Sequence, residues 1–256
     1  MIDSHIHTEF SSDSEMKLQH GLEHSKNNGL GMIITEHLDL KFPTGTDFTF
    51  DIDKYFNDYE KYRSSKFMLG IEMGMQNICI EENRDIARRY PFDYIIGSIH
   101  AAGGQDVFDE KFYEGKTKKE AFEQYFLSML ECVKQYNFID SLGHIDYISR
   151  YATFNDKEIY YHEFNEYINE VLKAIVHNEK VIELNTRRLN NKGAYNNLIS
   201  IYKAYNQLGG KYVTIGSDAH DVEDIGKNFL LANKLCEICN LKPVYFKERK
   251  MEYMSI

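Results

Sequence analysis

The sequence predicts an α/β fold whose parallel strands close, or nearly close, into a barrel. Three observations carry this expectation. Seven short apolar runs alternate with segments of helical periodicity. The runs recur at roughly 30–45 residues, one strand–helix cycle each. No G-x-G-x-x-G or P-loop motif favours the alternative, an open doubly wound sheet.

The strand-like runs are residues 1–5, 31–35, 67–73, 94–99, 138–143, 180–184 and 212–215. Each has the length of a buried parallel strand, and most are rich in Ile, Val or Phe. Helical stripes fill the later intervals. Phe122, Tyr125, Phe126, Met129, Leu130 and Val133 share one helical face, as do Ile159, Phe164, Ile168, Val171, Leu172 and Ile175. Tyr195, Leu198, Ile199, Tyr202 and Tyr205 make a third stripe; Ile225, Phe229, Ala232, Leu235 and Ile238 make a fourth. With three prolines and no low-complexity linker, the chain reads as a single domain over residues 1–256.

The charge balance narrows the function. Forty Asp and Glu against 30 Lys and Arg give a net charge of −10, which repels nucleic acid and anionic membrane. A small phosphorylated substrate stays compatible where cations gather locally. No run approaches the ~18 apolar residues of a membrane span. The start, MIDSHIHTEF, lacks the apolar stretch of a signal peptide, so a cytoplasmic location is expected. Four cysteines are too few for a disulfide framework; Cys236 and Cys239 form a lone C-x-x-C inside a helical pattern and read as buried thiols.

The histidines carry the chemistry. His20, His24, His162 and His177 fall in predicted helices. The other six, His5, His7, His37, His100, His144 and His220, fall at or just beyond the C-terminal ends of predicted strands, where a barrel gathers its active site. Glu36, Glu72, Asp146, Glu183 and Asp218 join them there. Strand alternation points His5 and His7 the same way, and Asp218 and His220 repeat that spacing. Imidazole with carboxylate suits zinc, manganese or iron, and a single catalytic zinc takes only three protein ligands. This donor set is larger, so two or three ions are expected. His20-Gly-Leu-Glu-His24 also fits the inverted zinc-protease motif H-x-x-E-H, but its helix belongs on the outer ring of a barrel.

The ordered strings DSHIHTEFSSDS, GMIITEH, LGIEMG, FDYIIGSIH, LGHIDYISRY, IELNTRR and TIGSDAH resemble the PHP (polymerase and histidinol phosphatase) superfamily. Within it they are most similar to the single-domain histidinol-phosphate phosphatases, from Met1 to about Phe229. The resemblance implies a distorted (β/α)7, TIM-like barrel with three divalent ions, Zn, Mn or Fe. Carried over, His5, His7, Glu72 and Asp218 hold the first ion. Glu72 bridges to a second, which also takes His100 and His144. The third takes His37 and His220, with Asp13 where some members place a histidine. Glu36, Asp146 and Glu183 then stand behind ligating imidazoles.

The implied reaction is phosphomonoester hydrolysis, with water activated by the metals attacking phosphorus in line. Arg150, Arg187 and Arg188 are the candidates for contact with phosphate. Members of the family carry small residues and then an arginine after the Asn–Thr pair, so Asn185-Thr186-Arg187-Arg188 leaves open which arginine serves. Asp146 or a metal-bound water protonates the leaving alkoxide. The implied substrate is L-histidinol phosphate, in histidine biosynthesis. In the loop 105–114, Glu110 or Glu114 would meet its ammonium, and Phe108 or Phe112 would pack on its ring. The alternatives are a PHP phosphoesterase for another small phosphomonoester or a nucleotide, an amidohydrolase-type deaminase, and a non-catalytic metal module. The deaminase barrel also begins with H-x-H, but it carries a lysine or another bridging group where this chain has His100.

Overall fold

In the computed structural model, which describes residues 1–254, all seven apolar runs contribute strands to one sheet. The last two residues of the expected domain lie outside the described residues. The strands are β1 (Ile2–Ile6), β2 (Gly31–Leu38), β3 (Phe67–Gly74), β4 (Tyr94–Ser98), a small hairpin β5 (Ala101–Ala102) and β6 (Gln105–Asp106), then β7 (Ser141–Leu142), β8 (Val181–Asn185) and β9 (Tyr212–Gly216). Two strands that the sequence did not announce follow, β10 (Lys242–Lys247) and β11 (Lys250–Tyr253). The main sheet runs β1-β2-β3-β4-β7-β8-β9-β10-β11. Pairing is parallel throughout except between β10 and β11.

The helices are α1 (Leu18–Asn27), α2 (Ile52–Tyr59), α3 (Ile80–Arg89), α4 (Lys118–Gln135), α5 (Ile148–Tyr151), α6 (Tyr161–His177), α7 (Lys192–Gln207) and α8 (Phe229–Cys239). The four apolar stripes fall on α4, α6, α7 and α8; Ile159 and Ile225 precede their helices and are buried all the same. Thr117 and Glu120 form a capping box that fixes where α4 starts. The run 138–143 yields only a two-residue strand. There Asp140 accepts the Ile95 amide with its side chain at 2.8 Å, replacing a ladder bond.

The seam of the barrel is irregular. Near its start, β9 pairs with β10, through Tyr212, Val213 and Thr214. Past its end it meets β1: Ile6 and Ala219 form a lone parallel bridge, and the Asp218 amide donates to the His5 carbonyl at 2.8 Å. Among the described residues no continuous ladder joins β1 to β9, which is the distortion of this barrel. Asp3 bridges the gap, accepting from the amides of Ser217 (2.9 Å) and Gly226 (2.8 Å).

The β10–β11 hairpin covers the opposite rim, where strands begin. Its turn residues Glu248 and Arg249 donate their amides to Asp93, just before β4. Arg249 Nε donates to Asp140 Oδ2 at 2.6 Å, just before β7. Inside, the ring of Phe246 stacks on Tyr94 at 5.6 Å.

Candidate metal centre and cleft

The C-terminal ends of the strands bring the expected donors together around Glu72 of β3. Its carboxylate lies 3.3 Å from His5 Nε2, 3.5 Å from His7 Nε2 and 2.9 Å from His37 Nδ1. It also lies 3.3 Å from His100 Nε2 and 2.8 Å from His144 Nε2. Five imidazoles on four strand ends thus converge on one fully buried carboxylate. Burial pushes the Glu72 carboxyl up, but the imidazoles of His5, His100 and His37 outweigh it and hold it well below the usual range.

Asp218 completes the inner set, with Oδ1 at 3.5 Å from His7 Nε2 and 3.8 Å from His5 Nε2. Its backbone adopts φ +58°, a left-handed conformation that asparagine and aspartate tolerate better than most residues. The outer set is His37, His220 and Asp13. Asp13 Oδ2 lies 3.4 Å from His37 Nε2 and 3.2 Å from His220 Nε2, and both rings stack on His7. Among the described residues, five groups of donor atoms close enough to share an ion follow: His5–His7–Glu72, Glu72–His100–His144, His5–His144–Asp218, His7–His37–His220 and His37–Asp39–His100.

These residues fit divalent metal. Glu72 Oε2, His37 Nδ1, His100 Nε2 and His144 Nδ1 are buried without a hydrogen-bond partner. His37 Nδ1 and Glu72 Oε2 approach to 2.9 Å without hydrogen-bonding geometry, as two donors to a common ion do. The outer nitrogens are held. His5 Nδ1 donates to Glu183 Oε1 at 2.6 Å, and Glu183 Oε2 accepts the His144 amide at 2.7 Å. Glu36 serves His7 indirectly: Ser11 accepts from His7 Nδ1 at 3.1 Å and donates to Glu36 at 2.6 Å.

Two of the three arginines line the cleft above this cluster, Arg150 and Arg187. Arg150 donates Nη1 to Asp218 Oδ2 at 2.5 Å, while its buried Nε and Nη2 have no partner. Arg187 donates to the Asp218 carbonyl at 3.0 Å and is half-exposed. Arg188 instead pairs with Asp146 at 2.9 Å and with Glu158, and it is absent from the cleft wall. Asp146 therefore does not stand behind an imidazole: its carboxylate is engaged by Arg188. Beside the cleft, a cavity of about 200 Å³ is walled by Phe42, Phe48, Phe108, Tyr147 and Tyr151, with His37, His100, Asp39 and Asp106. Of the four loop residues expected at substrate, Phe108 and Glu110 face this side. Phe112 is buried in the core, because its turn packs it inward, and Glu114 is exposed outside these cavities. His20 is exposed and His24 half-exposed on α1, in none of the donor groups found among the described residues.

The model of the PHP domain family matches residues 3–187. The chain belongs to the PHP domain family. A probable histidinol-phosphatase of Clostridium acetobutylicum is 53% identical over 253 residues, 99% of each chain. The histidinol-phosphatase of Lactococcus lactis is 34% identical over 229 residues, covering 86% of this chain and 84% of that one. The crystal structure of histidinol phosphate phosphatase from Lactococcus lactis, complexed with zinc, L-histidinol and phosphate, superposes with a TM-score of 0.91 at 31% identity, over 98% of each chain.

The PHP match ends at Arg187, so the placement of Asp218 and His220 rests on the geometry above. Three polar residues at this PHP site escaped the sequence reading: Asp39, Ser11 and Asp106. Asp39 Oδ1 accepts from His100 Nδ1 at 2.9 Å. It follows His37 by two residues, the same spacing that marked His5 with His7, and that signal was available. Ser11 and Asp106 carry no such spacing.

Proposed function

We propose that the chain is a metal-dependent phosphatase that hydrolyses L-histidinol phosphate to L-histidinol and phosphate, a step of histidine biosynthesis. The observation that carries this reading is the convergence of five imidazoles on Glu72 beneath two arginines. The relative crystallised with zinc, L-histidinol and phosphate supports it.

We assign three ions: His5, His7, Glu72 and Asp218 to the first, Glu72, His100 and His144 to the second, and His37, His220 and Asp13 to the third. Bound there, divalent ions lower the pKa of water towards about 7 and neutralise charge on phosphoryl oxygens. The protein adds fixed cations. Arg150 keeps Nε and Nη2 free for phosphoryl oxygens while Asp218 anchors its third nitrogen. Arg187 supplies a second guanidinium from the rim, and Arg188 orders the Asp146 segment. Asp146, neutralised by Arg188, holds that segment rather than the leaving group's proton.

The other end of the substrate is a cation, and Asp106 suits it. Asp106 Oδ1 accepts the Phe108 amide at 2.8 Å, and no Lys or Arg pairs with it among the described residues. Burial pushes its carboxyl up, a cost that an incoming ammonium or imidazolium removes. The aromatic walls offer faces to the same cation. We place the protein in the cytoplasm as one domain over residues 1–256, consistent with four free, buried cysteines and with the absence, among the described residues, of a helix long and apolar enough to cross a membrane.

The test is phosphate release from a panel of phosphomonoesters, with elemental analysis of the purified protein. Histidinol phosphate should be preferred at least about 100-fold in kcat/KM, a difference of about 2.7 kcal/mol. A rate no higher than with p-nitrophenyl phosphate would remove the specific assignment.

A further inference from the structure

Two buried carboxylates behind the imidazoles occupy spaces that exist only because the next strand carries a glycine. Asp39, just beyond β2, accepts from His100 Nδ1 at 2.9 Å. A methyl carbon placed on Gly74, at the end of β3, would overlap that carboxylate and sit 2.5 Å from its Cγ. Glu183 of β8 accepts from His5 Nδ1 at 2.6 Å. A methyl carbon on Gly216, at the end of β9, would overlap Glu183 Oε1 and the His5 Cβ. Neither glycine has a positive φ, so backbone conformation does not demand glycine at either position. What each supplies is volume.

We propose that Asp39 is a positioning residue for the metal centre and that Gly74 is the slot admitting it. Asp39 orients His100 and fixes its proton on Nδ1, which leaves the Nε2 lone pair facing Glu72, where that atom now has no hydrogen-bond partner. A second contact holds Asp39 in place: its amide donates to the Phe48 carbonyl at 2.9 Å. With the backbone pinned, Oδ1 stays on the His100 ring, while Oδ2 lies 3.8 Å from His37 Nδ1. The Glu183–Gly216 pair repeats the device at His5, on the other side of the cluster. The inference rests on the metal-centre reading and not on the identity of the substrate.

The experiment compares wild type with Asp39→Asn, Gly74→Ala and the double variant Asp39→Ala/Gly74→Ala. Zinc affinity is read by chelator competition and elemental analysis, stability by melting of the metal-free chains, and kcat and KM with histidinol phosphate. Asp39→Asn should weaken the hold on one zinc by about 10-fold or more, lowering kcat and leaving KM within about twofold. Gly74→Ala should weaken it equally and also lower the melting temperature of the metal-free chain. The double variant should regain that melting temperature, because the overlap is gone, yet keep the weak zinc affinity, because His100 still lacks its acceptor. Wild-type zinc affinity in Asp39→Asn, or affinity regained in the double variant, overturns the proposal. Asp39→Asn is nearly isosteric, so the test stands even where Gly74→Ala does not fold. A wild-type chain that retains no metal would remove the metal-centre reading itself.

Discussion

The two rims of the barrel use the same residue types for opposite ends. At the rim where strands begin, Asp93 and Asp140 are buried, and every contact is closed. Asp93 meets Arg63 at 3.0 Å and the amides of Leu69 and Glu248; Asp140 meets Arg249 and the Ile95 amide. At the rim where strands end, Glu72 and Asp218 are equally buried, but they face imidazoles, and several of the atoms between them have no partner. One set of charges is satisfied by the chain alone. The other is satisfied in part, by Arg150 at Asp218, while Glu72 Oε2, His37 Nδ1 and His100 Nε2 have no partner, and that is how a binding site differs from a structural ion pair.

Replacements that break this contrast should differ in kind as well as size. The largest effect belongs to Glu72→Ala, which removes the carboxylate shared by five imidazoles. Hydrolysis should fall by about 10³-fold or more, with zinc content reduced by at least one ion per chain in elemental analysis. Chelation of the wild type should reproduce that loss, and added zinc should restore both rate and melting temperature. If chelated protein kept its rate, the upper rim would not be a metal centre.

Arg150→Lys comes next. The charge beside Asp218 persists, but the two unpartnered guanidinium donors vanish. We expect kcat/KM to fall about 100-fold at unchanged metal content. An effect below about threefold would take Arg150 away from phosphate. Asp106→Asn is milder and selective. KM for histidinol phosphate should rise about 10-fold, while turnover of the uncharged-tail substrate p-nitrophenyl phosphate stays level. A parallel loss with both substrates would mean that Asp106 merely shapes its loop.

The lower rim gives the smallest change in rate and a large one in stability. Arg249→Ala leaves Asp140 buried without its directly paired cation, with only Lys180 acting on it from farther away. That should cost about 2–3 kcal/mol and lower the melting temperature by roughly 5–10 °C, with kcat at 25 °C unaltered. A fall in kcat well below the melting temperature would show that the rims are not separable.

How much of this the chain announced depends on how local each signal was. The runs around His5, His37, Glu72, Asp218 and the others were legible because a buried parallel strand must be apolar over its length, so polarity returns abruptly at its end. The β10–β11 hairpin was not, because its turn uses Glu248 and Arg249 at positive φ instead of the usual glycine or asparagine. The short β7 was over-read, since Asp140 replaces a ladder bond with its side chain. Arg187 and Arg188 could not be told apart by spacing, because adjacent loop residues point wherever their partners draw them, and Glu158 and Asp146 draw Arg188 away.

The order of strand ends, and with it the list of donors, was thus set by the linear pattern of apolar runs and polar stops. Which donors share Glu72, which arginine keeps free nitrogens, and that Asp39 fits only beside Gly74 were decided by tertiary packing. Those facts depend on distances between strands that are far apart in the chain, and residue periodicity carries no information about such distances.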